Sequence, residues 1–158
     1  MIKLPLLLLA AMSLSLSTAL SQTSAAVTYT PDQLIQQVDQ MREQAKTSKE
    51  PPTGILEKHL DASTILAFRD RDGKGELHER FEDVFVILRG TATLVTGGTI
   101  ASPTTTAPGE IRGASVQQGV RKKLQEGDIV HIPAGVPHQL LLDSGGTFTY
   151  FVAKIPTK

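Results

Sequence analysis

The sequence predicts an all-β protein: a single antiparallel barrel or double-sheet jelly roll preceded by one N-terminal helix. Three observations carry this reading. From about Thr64 onward, short runs rich in β-branched and aromatic residues recur, each bounded by Gly or Pro. A helical apolar period lies ahead of them, where Leu34, Val38 and Met41 repeat at i, i+4 and i+7. The chain, at 158 residues, is long enough for one domain with a core and short for two. The expected organisation is a signal peptide over residues 1–21 (cleavage as late as 26), a helix and linker over 27–63, and the barrel over 64–158.

The leader is expected from its three regions. Met1-Ile2-Lys3 is a positive start, and Leu4 to Met12 is an apolar stretch. Ala19-Leu20-Ser21 or Ser24-Ala25-Ala26 places small residues for cleavage, releasing Gln22 or Val27. A membrane anchor is the competing reading, but Ser13, Ser15, Ser17 and Thr18 weaken the run below a span of about 20 apolar residues. The expected compartment is therefore periplasmic or extracellular, with no membrane association after cleavage.

Thr30-Pro31-Asp32-Gln33 supplies an N-cap, a proline at the first helical position and a capping-box Gln. The helix should fade by Ser48, before the turn or linker Pro51-Pro52-Thr53-Gly54. Strands are expected near 64–68, 76–80, 84–88, 91–96, 110–116, 120–125, 129–132, 139–142 and 147–154. Asp72-Gly73 reads as a hairpin turn, and 102–109 as an extended loop.

Two segments resemble motifs of the cupin superfamily. Gly127-Asp128-Ile129-Val130-His131-Ile132-Pro133-Ala134-Gly135-Val136-Pro137-His138 is similar to the second cupin motif: Gly, five residues, Pro-x-Gly, two residues, His. The first motif, His-x-His, three or four residues, Glu, six residues, Gly, is matched around Gly90. Counting back from Gly90 puts Asp83 where the family has Glu, His78 at the second His and Glu76 at the first. Leu142 stands where the family often has Asn. The chain also resembles small exported bacterial cupins of the single conserved-barrel kind, which implies a double-stranded β-helix more than any one activity.

The resemblance implies a metal site of Glu76, His78, Asp83 and His138. Residues i and i+2 share a strand face, so Glu76 and His78 can both enter the barrel. Two imidazoles with two carboxylates suit a divalent first-row ion such as Zn, Fe, Mn or Ni. Its affinity should fall as pH drops through the ordinary imidazole range at about 6.5. The alternative is a lapsed site, in which His78 and His138 only hydrogen-bond to the carboxylates. His131 is an extra candidate for the pocket, whereas His59, among Glu57, Lys58 and Asp61, reads as a surface residue.

Other chemistries lack their residues. Acidic and basic residues number 16 each and balance, so no charge footprint for nucleic acid is present. The chain has no Cys, which removes disulfides and thiolate chemistry. Asp70-Arg71-Asp72-Gly73-Lys74-Gly75 fails as a calcium loop, because its twelfth position is Phe81. Two functional readings remain, each with a small-molecule partner. One is a metal-dependent cupin acting on an oxygenated molecule as an oxygenase, isomerase or lyase. The other is a metal-free barrel that binds a sugar or similar solute. A structural homodimer is a third, since Val84, Val86 and Leu88 alternate with Phe85 and Ile87 and make both strand faces apolar.

Overall fold

The computed structural model of the protein describes residues 26–158. The expected signal peptide, residues 1–21, lies outside them. Helix α1 spans Pro31–Ala45 and starts as the sequence dictates. The Thr30 hydroxyl accepts from the Gln33 backbone N–H at 3.3 Å, and the Gln33 side chain accepts from the Thr30 N–H at 2.8 Å. At the other end, the Arg71 guanidinium donates to the carbonyl of Ser48 at 2.9 Å, tying the helix exit to the barrel.

The strands follow in chain order. They are β1 (Thr53–His59), β2 (Ala62–Arg69), β3 (Gly75–His78), β4 (Phe81–Gly90) and β5 (Ala92–Thr96). Next come β6 (Thr99–Ala101), β7 (Thr104–Ala107), β8 (Glu110–Gly113) and β9 (Ser115–Gln117). The last four are β10 (Val120–Leu124), β11 (Ile129–Ile132), β12 (His138–Leu141) and β13 (Phe148–Pro156). One antiparallel sheet runs β1-β2-β13-β4-β11, the other β10-β5-β12-β3-β8-β7, and β6 pairs with β9.

The core lies between the two large sheets, where Phe85, Ile87, Leu94, Leu124, Leu140 and Phe148 are buried together. A second cluster lies outside the barrel wall. There Val38, Met41 and Ala45 of α1 pack on Leu66 and Phe68 of β2, with Leu88 of β4 alongside. This explains the doubly apolar β4: one face belongs to the barrel core, and Leu88 on the other packs in the cluster under the helix.

Several expectations are corrected. The sheet begins at Thr53, in the segment expected to be linker. As an edge strand, β1 is largely exposed, and its sequence shows no apolar alternation because Ile55 is exposed beside the half-buried Leu56. Its turn to β2 places Leu60 at φ +53° without a glycine to announce it. Asp72-Gly73 is not a hairpin turn, because β2 and β3 belong to different sheets. It forms the corner between them: Gly73 N–H donates to the Leu140 carbonyl at 2.8 Å, and Leu142 N–H donates to Asp72 Oδ1 at 2.7 Å. The 102–109 loop contains β7, which pairs with β8. The expected 110–116 strand is two, β8 and β9, pairing with different partners.

Candidate metal centre

Sheet register assembles the site from both sheets. Glu76 and His78 lie two apart on β3, and His138 opens β12 directly opposite Glu76. On the other side of β3, Arg112 stands opposite Glu76 and Glu110 opposite His78. The facing sheet contributes Asp83 of β4, with Lys154 of β13 as its strand partner. The turn before His138 is fastened to this site: Gly135, at φ +77°, donates its N–H to the His78 carbonyl at 2.8 Å. That bond joins the two motifs, so the Pro133-Ala134-Gly135 sequence positions both imidazoles.

The four residues singled out from the sequence converge. His78 Nε2 lies 3.3 Å from Asp83 Oδ2 and 3.7 Å from Glu76 Oε2. His138 Nε2 lies 3.6 Å from Asp83 Oδ2. The two rings are 5.2 Å apart, centroid to centroid. Glu76, His78 and His138 each offer a ligand atom, all within 4.8 Å of one another. His78, His138 and Asp83 are buried.

The imidazoles are held by their outer nitrogens. His138 Nδ1 faces the Val136 carbonyl at 3.0 Å. A carbonyl oxygen only accepts, so Nδ1 carries the proton and the inward Nε2 of the neutral ring carries the lone pair. That Nε2 is buried and has no hydrogen-bond partner. His78 Nδ1 meets Glu110 Oε2 at 2.6 Å. Histidine metal ligands are commonly oriented in this way, by a carbonyl or carboxylate on the other nitrogen. The residues present therefore fit a divalent cation, in composition and in the aim of their donors.

Charge is dense here. Arg112 Nη1 lies 3.1 Å from Glu76 Oε2, and Lys154 Nζ lies 3.8 Å from Asp83 and 3.7 Å from Glu110. Burial opposes charge on Glu76, but bonding to His78 and the nearby cations outweigh it and bring its carboxyl down to about 2. Burial likewise opposes charge on His78, yet bonding to Asp83 and Glu76 lifts it to about 9. For His138, burial prevails and lowers its pKa, favouring the neutral ring.

His131 does not join the site. Strand β11 pairs with β4 so that Ile132 is opposite Asp83 and His131 opposite Val84. Ile132 is buried, while His131 faces outward, exposed, and bonds Glu82 at 2.8 Å. His59 is exposed, as expected. Glu110, Arg112 and Lys154 were not singled out from the sequence. Their only available signal is β-pairing across tens of residues, which leaves no local spacing to read.

No family model and no curated protein matches the chain. Solved structures do. An uncharacterized conserved protein with a double-stranded β-helix domain from Klebsiella pneumoniae aligns at 15% identity and TM-score 0.52, over 70% of this chain and 80% of that one. KdgF from Halomonas sp. aligns at 15% identity and TM-score 0.50, over 71% and 85%. A proposed mannose-6-phosphate isomerase from Ralstonia eutropha aligns at 12% identity and TM-score 0.50, over 70% and 89%. Such likeness defines the fold: the described residues form a double-stranded β-helix preceded by helix α1.

Proposed function

We propose that this barrel binds a divalent first-row metal through Glu76, His78 and His138, with Asp83 beside them, and presents it to a small oxygenated molecule. The observation that carries the reading is His138 Nε2, buried, unpartnered and aimed at the other donors. A buried nitrogen without a partner costs about 1–3 kcal/mol, and a metal bond would remove that cost. When bound, the ion supplies Lewis-acid polarisation of a ligand oxygen. The chain's own residues do the rest. Glu110 and the Val136 carbonyl fix the two rings, and Phe85, 6.4 Å edge-on to His138, shields its flank from water.

The metal-free reading has one observation in its favour. Glu76, Asp83 and Glu110 already face Arg69, Arg112 and Lys154, a balanced set of carboxylates and cations. Elemental analysis of protein purified without a polyhistidine tag separates the two. The metal reading expects close to one first-row metal per chain, lost in His138→Ala and retained in His59→Ala. Equal loss in both variants would mean adventitious metal. Protein that stays metal-free after incubation with Zn, Fe, Mn and Ni salts would refute the metal reading.

A further inference from the structure

We infer that the molecule received beside the metal is a small carboxylate, held in a basic cleft that shares Glu76 with the metal centre. This inference rests on the metal reading above. The cleft has a volume of about 310 Å³, and Arg69, Lys74, Arg112, Glu76, Glu50 and Thr53 are among its lining residues. That volume is at the lower end for small-ligand sites. Its three cations come from three separate places: the end of β2, the corner between the sheets, and β8. Glu76 alone belongs both to this cleft and to the group of ligand atoms around the two imidazoles.

The two arginines are held in place and incompletely hydrogen-bonded. Arg69 is largely buried, and its Nε donates to the Tyr150 hydroxyl at 2.8 Å, which fixes the guanidinium. Its Nη2 is 3.8 Å from Glu76 Oε1, beyond hydrogen-bond reach. Arg112 Nη1 is buried beside Glu76 without a properly aligned acceptor. Two guanidinium groups lining one cleft, neither fully hydrogen-bonded, match a planar carboxylate.

Charge balance points the same way. With both imidazoles neutral, as metal binding requires, Glu76, Asp83 and Glu110 balance Arg69, Arg112 and Lys154. A divalent ion then brings two uncompensated positive charges into a largely buried site, where such charge is costly unless paired. An anionic ligand compensates it, and a neutral sugar or polyol does not. Glu50 and Glu76 in the same wall disfavour a phosphate dianion relative to a carboxylate.

The test reads Mn²⁺ affinity of the full chain by the electron paramagnetic resonance signal of free Mn²⁺. Titrations are run alone, with D-glycerate, with glycerol and with inorganic phosphate, against protein-free controls for complexation in solution. Glycerate should tighten Mn²⁺ binding about tenfold, within the usual range of coupling between sites, and glycerol should leave it unchanged. The ratio of affinities with and without glycerate should collapse toward unity in Arg112→Gln. It should fall part-way in Lys74→Gln, whose side chain is exposed and bonded only to Glu50 at 2.7 Å, so that folding is not at stake. Mn²⁺ binding with glycerate and glycerol acting alike overturns this inference and leaves the metal reading standing. An equal response to phosphate overturns the carboxylate class. No Mn²⁺ binding at all overturns the metal reading and this inference with it.

Discussion

His78 and Glu110 stand opposite one another on β3 and β8, and the imidazole Nδ1 lies 2.6 Å from the Glu110 carboxylate. The opposite nitrogen of the same ring looks inward, 3.3 Å from Asp83. One carboxylate therefore steers the ring and another meets its working edge. The steering is built into sheet register, since a one-residue slip of β8 would carry Glu110 to the other face.

Replacing Glu110 by Gln tests that steering. The amide keeps the shape and an acceptor but loses the charge that holds His78. Metal affinity should drop about 10- to 100-fold. The metal-free protein should also lose thermal stability, because His78, Arg112 and Lys154 each lose a charge partner in a largely buried cluster. Unaltered affinity, measured by competition with a chromophoric chelator, would show that Glu110 does not orient the ligand.

The pH behaviour should differ from that of an ordinary histidine site. In the metal-free protein His78 titrates at about 9 and so is protonated at neutral pH. A metal needs that lone pair, so binding at pH 7 should release close to one proton per ion. Affinity should weaken about tenfold per unit as pH falls below 9, and not only below the ordinary value of about 6.5. An indicator dye in weak buffer reads the proton directly. Binding without proton release would mean that His78 is not a ligand.

Gly90, which anchors the first motif, closes the turn from β4 to β5 at φ +85°. A Cβ there would sit 2.1 Å from the Thr147 carbonyl oxygen, a backbone atom that cannot swing aside. Gly90→Ala should destabilise by roughly 2–4 kcal/mol, as expected for a forced left-handed residue with a backbone clash. Urea denaturation measures it, and a loss below about 0.5 kcal/mol would contradict the packing of this turn.

The mature chain is expected to start at Gln22 or Val27 and to be exported. Lys3, the apolar stretch after it and the two small-residue cleavage positions motivate this. N-terminal sequencing of protein from periplasm or medium is the measurement. Intact Met1 in a membrane fraction would refute it.

Local chemistry in the chain determined the helix and the motif turns. Thr30, Pro31 and Gln33 act within one turn of each other, and Gly127 to His138 lies within a single strand–turn–strand unit. The i, i+2 spacing of Glu76 and His78 likewise needs only the pleat of β3 to put both on one face. Tertiary pairing decided the remainder. Glu110 reaches His78 across 32 residues, Lys154 comes to Asp83 from the last strand, and His131 points outward because β11 sets Ile132 rather than His131 opposite Asp83. The edge strand β1 and the corner at Asp72-Gly73 were hidden for the same reason. Strand pairing and side-chain direction follow from hydrogen bonds between segments far apart in the chain, and no spacing within one segment encodes them.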